Sequence, residues 1–170
     1  MVDLAVLTSQ FILWSQSVAE TWGYLGIFII SFIGSASIIL PIPFFIVVFA
    51  SGGIMNPILV GLVAGLGSAL GELTGYLVGL GGHKVIKKRN KKWLLKAKKW
   101  SKKRGIFPII MLFAATPLPD DIVGILAGIV KYDVRKFFLA SLIGNTIMTL
   151  ALALGGFYGI AWVMSIFGGL

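Results

Sequence analysis

The feature that most constrains this chain is a broken apolar stretch from Gly105 to Val130, GIFPIIMLFAATPLPDDIVGILAGIV. Pro117 and Pro119 divide it into two arms. Each arm is about 11 residues, which as helix measures about 16 Å, half the hydrocarbon thickness of a bilayer. Neither arm crosses a membrane alone. Proline removes a backbone donor and disfavours helix in the residue before it, so the stretch does not read as one straight spanning helix. The reading that meets both limits is a re-entrant hairpin, entering from one face, turning near the midplane and leaving by the same face. Non-helical backbone at that depth is tolerated only where protein or a water-filled cavity covers it, so the tip marks a site.

The rest of the chain fits lipid rather than water. Hydrophobic residues make up 58% and charged residues only 12%, and no charge occurs from Thr21 to Gly71 or from Phe137 to Leu170. A soluble domain of 170 residues has no interior able to bury that much apolar surface, so the chain reads as a multi-pass membrane protein. Twenty-two glycines suit close helix packing in lipid. The absence of cysteine excludes disulfides and thiolate metal sites. The N-terminus lacks the basic flank and small-residue cleavage site of a secretory signal, so Met1 onward reads as mature protein. Twelve of the fifteen Lys and Arg lie between Lys84 and Arg104, the others being Lys131, Arg135 and Lys136. Charge concentrated in loops between apolar segments is an orientation signal rather than a nucleic-acid surface, and it places 84–104 and 131–136 in the cytoplasm.

In chain order, residues 1–22 read as an N-terminal amphipathic helix in the interface, with Leu4, Leu7, Phe11, Trp14 and Val18 on one side, a short tilted span being the alternative. A first unit, 23–82, holds a re-entrant hairpin with its tip at Pro41 and Pro43 and a second arm ended by Gly52-Gly53. A transmembrane helix over 57–80 follows, opened by Asn56-Pro57. Within it Glu72 lies roughly 18 Å from Lys84, near the midplane. Residues 83–104 read as a basic cytoplasmic amphipathic helix, in which Lys87, Lys88, Arg89, Lys91 and Lys92 join Lys131, Arg135 and Lys136 as a surface for anionic lipid. His83 has no partner nearby in sequence and receives no function. A second unit, 105–156, has its tip at 117–119 and a transmembrane helix over 137–154 that carries Asn145, interrupted by Gly155-Gly156. Residues 157–170 are a C-terminal membrane segment, either a continuation or a short closing helix.

The two units echo each other. Pro41-x-Pro43, eight residues and Gly52 match Pro117-x-Pro119, eight residues and Gly128. Downstream, Ser68-Ala69-Leu70-Gly71-Glu72 is matched by Ser141-Leu142-Ile143-Gly144-Asn145. A hairpin does not change sides and a single crossing does, so the second copy is inverted. The fold expected is an all-α integral membrane protein of two inverted repeats, each a re-entrant helical hairpin followed by a transmembrane helix, an architecture of secondary transporters.

At this point the chain resembles the DedA superfamily, also called the VTT or SNARE-associated Golgi family, over roughly residues 22–160. The resemblance rests on Tyr24-x-Gly26 leading to Pro41-Ile42-Pro43 and Gly52-Gly53, and on Gly71-Glu72 with Gly75-Tyr76 and Gly79. Pro117, Ala127-Gly128, Phe137, Gly144 and Gly155 complete it. It implies two opposed re-entrant hairpins and lipid translocation: recycling of polyprenyl phosphate carriers with proton coupling in bacterial members, phospholipid scrambling in eukaryotic ones. It also implies a prokaryotic cell membrane for this chain. Where bacterial relatives carry an acid after the first tip, this chain has Phe45. Where they carry two arginines around the second tip, it has Ala114 and Asp120. Of that set the acid at Glu72 is kept, and an arginine clamp on phosphate does not carry over.

The candidate binding residues are therefore Glu72, Asp120, Asp121 and Asn145. An ionised carboxylate at the midplane costs at least ~2.5–3.5 kcal/mol, so it must be hydrated, paired or protonated. An ionised cluster repels an anionic headgroup and a protonated one accepts it. The half-helix N-terminus after Pro119 would attract the anion. Each residue also has a plainer reading: Asp120 as an ordinary N-cap, Asn145 as glue between helices, the prolines as turn-makers. The function expected is a lipid flippase or scramblase with membrane lipids and protons or a monovalent cation as partners. The alternative is a proton- or cation-coupled carrier of a small solute. Neither cofactor nor metal is expected, an oligomer is left open, and an enzyme is disfavoured by one histidine and no nucleophile–base spacing.

Overall fold

The computed structural model describes residues 22–36, 44–89, 92, 95, 96, 99, 105–116 and 121–167, with side chains for all of these except 84–89 and 160–167. The described chain holds six long or short helices: α1 (Tyr24–Ala36), α2 (Phe44–Ile54), α3 (Pro57–Arg89), α4 (Ile106–Ala114), α5 (Asp121–Ile129) and α6 (Val134–Phe167). Among the described residues only α3 and α6 are long and apolar enough to cross a bilayer, over Pro57–His83 and Val134–Gly159. The nine residues of α4 or α5 reach only about 14 Å. The expected helix at 1–22 and the tips at Pro41, Pro43, Pro117 and Pro119 lie outside the described residues, except for Trp22.

Side-chain caps start both long helices. Asn56 Oδ1 accepts the Ile58 and Leu59 N–H groups at 3.0 and 3.2 Å, with Pro57 in the first turn. Asp133 Oδ1 accepts those of Arg135 and Lys136 at 2.9 and 3.0 Å. The short helices α1 and α4 each follow a left-handed glycine, Gly23 at φ 55° and Gly105 at φ 65°. At the far end of α5, Lys131 adopts φ 57° and closes a Schellman turn, with Tyr132 N–H on the Ala127 carbonyl and Lys131 N–H on that of Gly128.

Packing follows a reciprocal plan. α3 and α6 run antiparallel against each other, Gly61 opposite Leu150 and Gly65 opposite Thr146. Against this pair, α1 packs on α3 and α4 on α6, whereas α2 crosses to α6 and α5 crosses to α3. The short helices within a pair, α1 with α2 and α4 with α5, scarcely touch. Two glycine contacts set the crossed seats. The Ile125 carbonyl presses on Gly79 while that of Tyr76 presses on Gly128, and the Phe49 carbonyl presses on Gly156 while that of Ala153 presses on Gly52. No side chain fits at these points.

Two expected boundaries move for this reason. Gly52-Gly53 do not end the helix before them, since α2 runs on to Ile54, and Gly155-Gly156 do not interrupt α6, which continues to Phe167. Gly52 and Gly156 admit a neighbouring backbone instead of breaking their own. The change from apolar to basic sequence near 83 is likewise no helix end, because α3 continues to Arg89.

The sorting of residues is that of a protein in lipid. On α3 the exposed large side chains are Ile58, Leu59, Leu62, Leu66, Leu77 and Val78, while Ala64, Ser68, Ala69, Glu72 and Tyr76 are buried. On α6, Leu139, Ile143 and Ile147 face outward and Ala140, Ser141, Asn145 and Thr149 inward. Small and polar residues mediate helix contact while large apolar ones meet the surroundings.

Candidate functional site

Midway along the α3/α6 contact, the two residues at matching positions of the sequence echo meet. Glu72 is 4% exposed and Asn145 5%. The Asn145 amide Nδ2 donates to Glu72 Oε1 at 2.5 Å. Hydrogen bonds to an ionised acceptor are worth about 1.5–3 kcal/mol, against about 1 kcal/mol for a neutral pair. This bond therefore pins the first half of the chain to the second within the buried α3/α6 contact, where an unpaired charge is costly.

Hydroxyl residues lie one turn from the pair along both helices. Thr149, one turn after Asn145, donates across the interface to the Gly61 carbonyl at 2.7 Å and also contacts the Asn145 carbonyl at 2.7 Å. Ser68 and Ser141, one turn before Glu72 and Asn145 respectively, are fully buried, and their hydroxyls have no hydrogen-bond partner. Ser31 on α1, packed beside Gly67, is a third such hydroxyl. On the other side, Thr74 donates to the Gly71 carbonyl at 2.8 Å and reaches the Ala36 carbonyl of α1 at 3.2 Å.

Asp121 is the first residue of α5 and is half-buried. Its carboxylate faces α3, with Oδ1 3.9 Å from where a Cβ on Gly75 would stand, about one turn from Glu72. Neither acid lacks partners. Asp120, expected beside it, lies outside the described residues. The structure thus brings Glu72, Asn145 and Asp121 to one stretch of α3.

Two ties hold the C-terminal end of α5 to α3. The Tyr76 hydroxyl donates to the Tyr132 carbonyl at 2.5 Å, its ring stacked on Phe137 with centroids 5.1 Å apart. His83 Nδ1 meets the Ile129 carbonyl at 2.6 Å, so Nδ1 carries the proton. His83 thus has a structural partner that its sequence neighbourhood did not disclose. Around this turn Asp133 is held below the usual carboxylate range, first by the Lys136 backbone N–H and also by that of Arg135 and their two charges. Burial pushes the Tyr132 phenol up, with Asp133 adding to it. Lys131, Arg135 and Lys136 are exposed there, and Lys92 is exposed farther along the basic segment. The side chains of Lys87, Lys88 and Arg89 and all of Lys91 lie outside the described residues.

A family model described as the VTT domain matches residues 42–158, most of the chain and all of α2 to α5 with the apolar body of α6. The chain belongs to the VTT domain family. This is the DedA, or SNARE-associated Golgi, family of membrane proteins, whose members are generally transporter-like. No curated protein and no solved structure matches the chain. In this VTT protein the match encloses Ser68, Glu72, Asp121, Ser141, Asn145 and Thr149.

The sequence echo pointed to positions 72 and 145, but the bond between them needed the α3/α6 register. Ser68 and Ser141 stood in the same echo and were legible as a pair, though not as orphaned hydroxyls. Thr149 carried one signal: it lies four residues after Asn145 and so shares its helix face.

Proposed function

We propose that this VTT protein moves a lipid phosphate, polyprenyl phosphate or phospholipid, across a prokaryotic cell membrane, gated by protonation of Glu72. In this reading the chain is multi-pass, with 84–104 cytoplasmic, and makes no covalent change to its substrate. The two halves are inverted repeats, and α1–α2 and α4–α5 are opposed re-entrant hairpins. Their reciprocal packing on α3 and α6 supports that symmetry: each hairpin seats one arm on its own long helix and the other on its counterpart's. The short helices support the re-entrant geometry, being too short to cross.

The observation that carries the gate is the bond from Asn145 to Glu72 across the two halves. An ionised Glu72 holds it at charge-assisted strength. Protonation reduces it to an ordinary hydrogen bond, a loss of about 1 kcal/mol, or roughly a fivefold shift toward separated halves. The same proton removes the negative charge that repels an anionic headgroup. Asp121, at the start of α5 beside the same stretch of α3, adds a second carboxylate to that field.

The test is reconstitution into proteoliposomes with labelled polyprenyl phosphate and labelled phospholipid, at pH 6 and pH 8. Flux of one lipid that changes with pH in the wild type and loses that dependence in Glu72→Gln is the expected result. Flux of neither lipid, or flux indifferent to both pH and Glu72→Gln, overturns the reading.

A further inference from the structure

Three fully buried hydroxyls lack a hydrogen-bond partner among the described residues, and two of them, Ser68 and Ser141, share the contact between the long helices. An unmade hydrogen bond on a buried polar group costs about 1–3 kcal/mol. Both sit on the long helices at the α3/α6 crossing, at matching positions of the echo, where alanine would pack as well.

Their placement is set by the register. With Gly61 opposite Leu150 and Gly65 opposite Thr146, Ser68 falls level with the stretch between Ser141 and Asn145. Helical side chains lean toward the N-terminus of their own helix, over the residue one turn earlier. Glu72 therefore leans over Ser68 and Asn145 over Ser141. Because the helices are antiparallel, the two lean toward each other and meet between the serines, as their 2.5 Å bond requires. The register thus sets four oxygen-bearing residues, Glu72, Asn145, Ser68 and Ser141, along one short stretch of the α3/α6 contact. The Asn145 amide gives its nitrogen to Glu72 and keeps its oxygen as an acceptor.

We propose that this cluster is a binding site for a dehydrated monovalent cation of sodium size, with the hydroxyls of Ser68 and Ser141, the Glu72 carboxylate and the Asn145 amide oxygen as ligands. The donor set is all oxygen, which selects hard cations over transition metals. The cluster holds one carboxylate, so a single positive charge neutralises it, whereas a divalent ion would leave a net charge among apolar helices. A cation also completes both hydroxyls at once through their lone pairs. The inference deepens the transport reading, naming the ion that shares Glu72 with the proton. The other titratable group facing this part of α3 is Asp121 of α5. Helices α2 and α4 carry none, and α1 and the 137–159 stretch of α6 carry only Tyr24 and Tyr158.

The experiment is thermal unfolding of the purified full chain in detergent micelles, in NaCl against choline chloride at constant ionic strength. No lipid transport enters this readout, so its failure and that of the lipid reading are distinguishable. The wild type is expected to gain a saturable rise in Tm with Na+ and none with choline. Half-saturation shifts to higher Na+ by up to tenfold per pH unit once protons compete for Glu72. Ser68→Ala and Ser141→Ala each weaken the apparent Na+ affinity at least tenfold, yet melt at or above the wild type in choline, because each has one fewer orphaned hydroxyl. Glu72→Gln, close in shape, loses the Na+ response. Equal melting of the wild type in Na+ and choline overturns the proposal and leaves a water-filled cluster. So does a full Na+ response in both serine variants. The wild-type pH series decides the matter even if a variant does not fold.

Discussion

The bond between Asn145 and Glu72 can be weighed by a double-mutant cycle of Asn145→Ala and Glu72→Gln. Asn145→Ala removes the amide from a carboxylate only 4% exposed. Hydrogen bonds to charged groups are worth about 1.5–3 kcal/mol in proteins generally. Interhelical polar contacts in lipid average about 0.6 and reach about 1.7 kcal/mol, because separated helices find other partners. The upper part of the lipid range suits a pair this buried, and lost packing adds to it, so Asn145→Ala is expected to cost about 2 kcal/mol. Glu72→Gln keeps the shape and an acceptor oxygen but replaces the charge-assisted bond by a neutral one. The non-additive part of the cycle is then about 1 kcal/mol. Equilibrium unfolding by SDS in mixed micelles, followed by far-UV circular dichroism, measures all four corners. Costs that add to within about 0.3 kcal/mol would mean that the contact carries no special energy, and the gating mechanism would fall with it.

Three further outcomes follow from the described geometry. Lys131→Gly is expected to stabilise the chain by about 1 kcal/mol in the same unfolding assay, because Lys131 holds a left-handed conformation that costs a side chain about 1–2 kcal/mol. Gly128→Ala places a methyl on the Tyr76 carbonyl and is expected to cost about 1–3 kcal/mol by forcing α5 off α3. Gly52→Ala against Ala153 is expected to cost a similar amount. Asp133, whose carboxyl lies below its usual range, contributes stability that is present above the unfolded carboxylate value near 3.9 and lost as pH falls through the folded value. Melts between pH 6 and pH 3 should therefore show a steeper acid loss in the wild type than in Asp133→Asn, and parallel curves would remove the cap's role.

Much of this fold is readable from residue order because lipid leaves the backbone few choices. Length separates α3 and α6 from the shorter helices, and Asn56-Pro57 announces the start of α3 by ordinary capping chemistry. Glycine is where reading failed. Gly52-Gly53 and Gly155-Gly156 read as breaks, yet Gly52 and Gly156 are seats for a neighbouring carbonyl. A single letter carries both meanings, and only the packed partner distinguishes them. Basic residues after His83 do not end α3, which runs on to Arg89. For the site, the echo singled out Glu72 and Asn145 together, but not their contact, which spans 73 residues of sequence. Asp121 was legible as an acid near the second tip. That it faces Gly75 required α5 to cross to the other half's long helix.

That crossing has a consequence for how the chain is made. Helix α2 leaves the ribosome before α6, on which it lies, has been synthesised, and the groove on α3 that receives α5 stays open meanwhile. The first half is thus inserted with one element unseated and Glu72 still waiting for its amide. Completion of the nascent chain is what closes both halves together, so a fragment ending at Arg89 would lack the helix on which α2 seats.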